Sequence, residues 1–283
     1  MRDLSPILLL LAPAPTAIAA ESALVRLSEP MATWKRHIEE RSGTPLLLAR
    51  VFTDPVRNQL LLPDDALRRP ALARFFLDAG FVAQFVATHA MTIRYRGPET
   101  SFDFVVLNMA KAAEWEGVED ALLAHEFGHA WLHALGYLSP ADEPGAASCF
   151  SIHAGDIVQH ILIRREIERR SISYLPYWTR NLDRALEQLE LQGRAAQESS
   201  IPVCQRLAQL ALWMDVRLGL SPDAWIGYRC FLQAMARNFP MLEAPAERLW
   251  EALNSVDPAD RDAYARVLGR VTEILREVAN PPP

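Results

Sequence analysis

Cysteine is scarce in this chain. Its three cysteines, Cys149, Cys204 and Cys230, show none of the close pair spacing that a thiolate zinc site uses. An odd set can close one disulfide, expected between Cys204 and Cys230, or remain as three separately buried thiols. Basic residues form no long run, and the formal net charge is −6. That excludes the concentrated positive field that phosphate backbones require, so nucleic acid is not an expected partner. The densest basic stretch, RREIERR from Arg164 to Arg170, spreads its charges around a helix and reads as a solvated face. Long apolar runs are missing too. The block Ile7–Ala12 falls short of the ~20 residues that span a bilayer. No second candidate follows, so the mature chain is expected to hold no transmembrane segment. Internal repeats and low-complexity tracts are likewise absent.

What is present allows a sizeable core. Half of the 283 residues are apolar, which permits one large domain or two lobes. Arg2, the apolar block and the following PTAIAAESA read as an export signal. Ala17 and Ala19 fit the small-x-small cleavage pattern, with the cut before Ala20. Residues 1–19 are thus expected to be removed and the protein exported, to a periplasm or the outside; a chain without that signal would be cytoplasmic.

The remainder divides around ALLAHEFGHAWLHALGY, Ala121–Tyr137. Before it, elements alternate. MATWKRHIEERSG reads as a helix closed by Gly43, PLLLARVF and RNQLLLP as strands, residues 66–90 as a helix bent at Pro70, and MTIRYRG and FDFVVLN as strands. After it, helices are expected over Ile152–Arg170, Tyr177–Gln197, Val203–Arg217, Pro222–Asn238, Pro245–Ser255 and Pro258–Val278, with Asp257 starting the last. Leu182, Leu186, Leu189 and Leu191 suit packing inside a bundle. The fold expected is α+β: a strand-bearing lobe over 20–137 ending in the quoted helix, then a helical lobe over 138–280, the two forming one catalytic unit.

The quoted helix carries the chemistry. His125 and His129 are four residues apart, about 40° apart on one face and one turn along the axis. Two imidazoles so spaced can close on one Zn2+ ion. Glu126 lies beside the pair, within reach of a metal-bound water, and can act as general base. The other reading is a packed helix whose histidines are satisfied internally. Against it stands Glu126, the one charge in an apolar stretch, which is costly to bury without a partner.

HEFGH in these apolar surroundings resembles the active-site helix of zincin-type zinc metallopeptidases, over about Pro45–Arg170; the last ~110 residues resemble no family. The resemblance implies zinc ligands at His125 and His129, the general base at Glu126, a peptide or protein substrate, and an FDFVVLN strand that holds extended substrate by backbone pairing. The metzincin pattern is excluded, because the positions that need its glycine and third histidine are Leu132 and Leu135. Gluzincins carry the third ligand on the next helix, as a Glu with an Asp four residues on. Here those positions are Asp156 and His160. Either Asp156 binds zinc while His160 steadies a ligand or the oxyanion, or His160 binds zinc while Asp156 orients an imidazole. His133 lies about 12 Å along the axis from His125 and is expected to line the cleft or pack in the core. His153 and Glu143 are weaker ligand candidates, and Glu166 is expected to form surface pairs. Tyr137, Tyr174, Tyr177 and Arg164 are candidates to stabilise an oxyanion, by chain position alone. The function expected is hydrolysis of a peptide bond by a zinc-activated water. The alternatives are a zinc-dependent hydrolase of a non-peptide amide and a non-catalytic zinc-binding protein.

Overall fold

The computed structural model describes residues 26–54, 59–61, 85–86, 88–96, 101–142, 148–192, 201–254, 257 and 259–280. The expected export signal, the bend at Pro70 and Glu143 lie outside them.

Helix α1, Glu29–Ser42, buries Met31, Trp34 and Ile38 at a spacing that keeps them on one face, and ends at Gly43 with φ 67°, which glycine adopts without strain. Strand β1, Leu46–Asp54, follows. It pairs antiparallel with the short β2, Gln59–Leu61, and parallel with β4, Ser101–Asn108. β4 in turn pairs antiparallel with β3, Ala90–Arg96, giving the order β2-β1-β4-β3.

Alternation along β4 decides what each face of the sheet covers. Val105 and Leu107 join the main core, whereas Phe102, Phe104 and Val106 join a smaller cluster with Ala49, Val51 and Phe85 on the opposite face. With both edges paired and both faces covered, β4 cannot receive a substrate strand. This overturns the expectation for FDFVVLN: among the described residues, the edge strand beside the HEFGH helix is β3.

The single turn α2, Ala112–Trp115, leads to α3, Glu119–Leu135, which contains HEFGH. α3 packs on α1 and the sheet, with Trp34 and Phe127 edge to face at 6.1 Å between ring centroids. Then come α4, Cys149–Arg169, α5, Leu175–Gln192, and α6, Val203–Gly219. The chain continues as α7, Tyr228–Asn238, α8, Glu243–Asn254, and α9, Arg261–Ala279. α4 is the hub and packs against α3, α6 and α9. One core cluster runs from Met31 on α1 through α3 to Val278 on α9, so the α+β part and the helical part share an interior.

Several details differ from the sequence reading. The disulfide joins Cys149 to Cys204, and Cys230 is the exposed free thiol. Cys149 and Cys204 sit at the starts of α4 and α6, which pack together, and Cys230 lies on α7. Leu182 and Leu189 are buried, but Leu191 is 86% exposed, because two residues past Leu189 the helix has turned about 200°. Asp260, not Asp257, caps α9, its carboxylate accepting from Ala263 N at 2.7 Å; Asp257 pairs with Arg165 at 2.6 Å. Arg164 does not belong to a solvated face: its side chain is buried, ion-paired with Asp215 and stacked over the Trp178 ring at 4.7 Å.

Candidate metal centre

The site begins with how closely two helices approach. α3 and α4 meet at Gly128, where an added Cβ would lie 2.4 Å from Ile163 Cγ2. No other residue type allows this approach without displacing a packed side chain. α4 is started by a reciprocal capping box in which Ser148 and Ser151 satisfy each other's backbone N–H. Eleven residues into α4 comes His160. Its ring lies 4.7 Å from that of His125 and 5.5 Å from that of His129, which are themselves 5.0 Å apart. Each histidine offers one nitrogen to a common point, the three atoms lying within 4.8 Å of one another.

Two of these rings are fixed from behind. His129 Nδ1 donates to Gln159 Oε1 at 3.1 Å, and the Gln159 amide is itself oriented by donating to the Tyr137 carbonyl at 3.0 Å. His160 Nδ1 donates to the Asp215 carboxylate on α6 at 3.0 Å, and Arg164 donates to Asp215 Oδ1 at 3.1 Å. With Nδ1 engaged, Nε2 is the nitrogen left to each ring for a metal.

Electrostatics follow from burial. Burial and the His160 and His129 rings hold His125 well below its ordinary pKa, which keeps the imidazole neutral, as a ligand must be. Burial alone would raise Asp215, yet His160 and Arg164 outweigh it and hold that carboxylate at about 2. Burial likewise works against a charged His160, but Asp215 more than offsets it and the pKa is raised.

Glu126 is 6% exposed. Burial raises its carboxyl to about 7, against the lowering effect of the Thr92 hydroxyl. Thr92 is on β3, and its Oγ1 lies 2.7 Å from Glu126 Oε2 and 2.9 Å from the Glu126 carbonyl. The edge strand thereby fixes one oxygen of the carboxylate. In front of His125, Glu126 and His160 opens a cleft of about 260 Å3, lined also by residues of α5 and α6. Tyr177 and His89 meet there, with His89 Nδ1 2.9 Å from the Tyr177 hydroxyl, His89 Nε2 3.0 Å from Glu114 Oε2, and Arg184 2.9 Å from the same oxygen. Burial and the nearby Glu126 raise the Tyr177 hydroxyl far above its usual pKa, so it stays protonated.

The structure thus groups His125, His129 and His160, with Glu126 beside them; among the described residues no other candidate joins the three converging nitrogens. Asp156 Oδ1 is 3.9 Å from His160 Nε2, its side chain 28% exposed, and burial raises its carboxyl to about 6. The carboxylate that orients an imidazole is Asp215, from a helix 55 residues further along, not Asp156. His133 is buried on another side of α3, 3.8 Å from Asp103. His153 Nδ1 lies 3.9 Å from Asp156 Oδ2. Glu166 pairs with Arg169 and Arg170 at 2.8 and 2.7 Å. Of the oxyanion candidates only Tyr177 lines the cleft. Tyr137 donates to the Ala259 carbonyl, Tyr174 to Glu168 at 2.7 Å, and Arg164 stands behind Asp215.

Asp215, Gln159, Thr92 and His89 were missed by sequence reasoning. Asp215 alone left a signal there: it is the one acid in the apolar run LALWMDVRL. Comparison with protein-family models, with curated proteins and with solved structures finds no match in any of the three.

Proposed function

We propose that this chain is an exported zinc-dependent metallopeptidase of gluzincin-like organisation, with His125, His129 and His160 as metal ligands and Glu126 as general base. The observation that carries the reading is the convergence of three imidazoles, two of them oriented through Nδ1, on one point beside a buried carboxylate and an open cleft.

The donor set fits the metal. Three histidines that leave a fourth position open form a familiar catalytic zinc shell, and neutral imidazole also suits Cu, Fe and Ni, so the metal's identity belongs to the test. Bound there, zinc would bring the pKa of a coordinated water to ~7 and polarise a carbonyl. The chain's own residues supply the rest. Glu126, balanced near neutrality with one oxygen held by Thr92, takes a proton from the attacking water and returns it to the leaving nitrogen. Tyr177, kept protonated and bonded to His89, offers a donor to the oxyanion that develops on the substrate carbonyl. β3, the edge strand bearing Thr92, is the element suited to align an extended peptide. Export is supported by the apolar block with its AIAA site and by the Cys149–Cys204 disulfide, a bond that persists in oxidising compartments. No helix among the described residues is long and apolar enough to cross a membrane.

The test is metal analysis joined to activity. Protein purified without chelator is expected to carry one zinc and to cleave a peptide library. A chelator should abolish cleavage and added zinc restore it. Well under one equivalent of metal, unrestored by added zinc, would overturn the reading.

A further inference from the structure

The apolar part of the cleft lining says what it would accept. α3 contributes Leu122, one turn before Glu126; α5 contributes Trp178 and Leu182, four residues apart; α6 contributes Leu212 and Val216, four residues apart and flanking Asp215. Each pair falls on a single helix face and gives the cleft an apolar patch, with Asn181 and Asp215 beside them. Polar groups share the lining with these side chains, but the charged ones are engaged. Asp215 is held by His160 and Arg164, and Glu126 by Thr92. His89 and Tyr177 bond one another, and Glu114 behind His89 is matched by Arg184. Asn181 and Thr88 are neutral. Among the described residues of the lining, an entering carboxylate would find no spare cation, and an entering ammonium no anion that is not already committed. A charged side chain would shed its water there without compensation. The volume of about 260 Å3 is just below the ~300 Å3 at which pockets for drug-sized ligands begin, and gives room for one side chain and its amide.

We infer that this cleft is a specificity pocket for one uncharged, apolar substrate side chain, aliphatic or aromatic, next to the scissile amide, with Leu122, Trp178, Leu182, Leu212 and Val216 as its selecting wall. The inference deepens the peptidase reading and rests on it.

A binding series separates the two. Hydroxamates chelate zinc whether or not the protein hydrolyses anything, so the zinc-loaded full chain is titrated by calorimetry with the Nα-acetylated hydroxamates of leucine, phenylalanine, aspartate and lysine, which carry no α-ammonium, and with acetohydroxamate, which has no side chain. Leucine and phenylalanine hydroxamates should bind about 10- to 100-fold tighter than acetohydroxamate, and the two charged ones no tighter than it. Leu212→Lys, at a partly exposed position, should weaken leucine hydroxamate and strengthen aspartate hydroxamate. Should that variant fail to fold, the wild-type series decides alone. In a peptide-library digest, cleaved bonds should be flanked by apolar residues. Equal affinity across the hydroxamates with zinc bound overturns this inference and leaves the peptidase reading standing. Apolar preference without cleavage of any peptide supports the pocket and overturns the peptidase reading. A chain that binds no zinc overturns both.

Discussion

At the scale of single residues, the proposed site separates holding metal from moving protons. Glu126→Gln keeps the shape and the Thr92 contact while removing the basic oxygen. Zinc content should therefore stay at one equivalent while hydrolysis falls ~10²–10⁴-fold, checked by metal analysis and turnover on the same sample. Wild-type turnover by the variant would sink the assignment. The third ligand is tested by a pair. His160→Ala should weaken zinc most, because three protein ligands become two. Asp215→Asn should weaken it on the order of 10–100-fold by releasing His160 Nδ1 from a carboxylate. Asp156→Asn, at a carboxylate 3.9 Å from His160 Nε2, should cost less than Asp215→Asn, and competition with a zinc chelator reads all three. This ranking also marks how far the sequence could be read. His125, Glu126 and His129 were legible because helix periodicity alone puts them together. Asp156 and His160 stayed level because one helix face carries both, and the contact that favours His160 comes from Asp215 on α6. A contact between residues 55 positions apart has no local period to betray it.

At the scale of elements, the helix spacing at Gly128 sets the site. Gly128→Ala drives a methyl against Ile163, and overpacking of this kind costs ~1–3 kcal/mol. The variant should unfold at lower denaturant and bind zinc more weakly, because α4 carries His160 away as it shifts. Unchanged zinc affinity at reduced stability would show that the metal centre tolerates a wider approach. The disulfide makes a second element-scale case. Cys149→Ser opens a link spanning 55 residues, a loss of about 4 kcal/mol on the chain-entropy account, read from denaturation midpoints with and without the bond. Helix stops at Gly43 and Asn238 were read locally, but two starts were not: α7 begins at Tyr228 rather than Pro222, and α9 is capped by Asp260 rather than Asp257. The disulfide partner was not legible either, since cysteine spacing says nothing of which helix starts meet. The error over FDFVVLN is of the same kind. Its run Phe104–Leu107 is apolar at consecutive positions, as in a strand covered on both faces, and such a strand belongs inside a sheet.

At the scale of the whole molecule, one continuous core joins the sheet to the helical part, and the proposed ligands come from α3 and α4, on either side of that junction. Metal binding should therefore stabilise the entire chain. With free zinc at ~1,000 times Kd the gain is about 4 kcal/mol, on the order of 10 °C in Tm for a chain of this size. Calorimetry before and after chelation should show a single transition moving as a unit. Two separate transitions would mean that the lobes fold independently. The α+β class was legible because period-2 and period-3.6 stretches separate cleanly along the chain. The sharing of one core was not, because it depends on which faces meet across α4.

The disulfide has a further consequence in mechanical terms. Cys149 lies eleven residues before His160 and Cys204 eleven before Asp215, so a covalent tie at one end and a charged contact three turns on pin α4 and α6 at matching heights. Two parallel rods fastened at two points neither slide past each other nor pivot about a single joint. They behave as a plate. The wall that carries His160 and Asp215 is thus the stiff side of the cleft, whereas α5 is tied to the residues before β3 and to α2 by side chains alone, Tyr177 to His89 and Arg184 to Glu114.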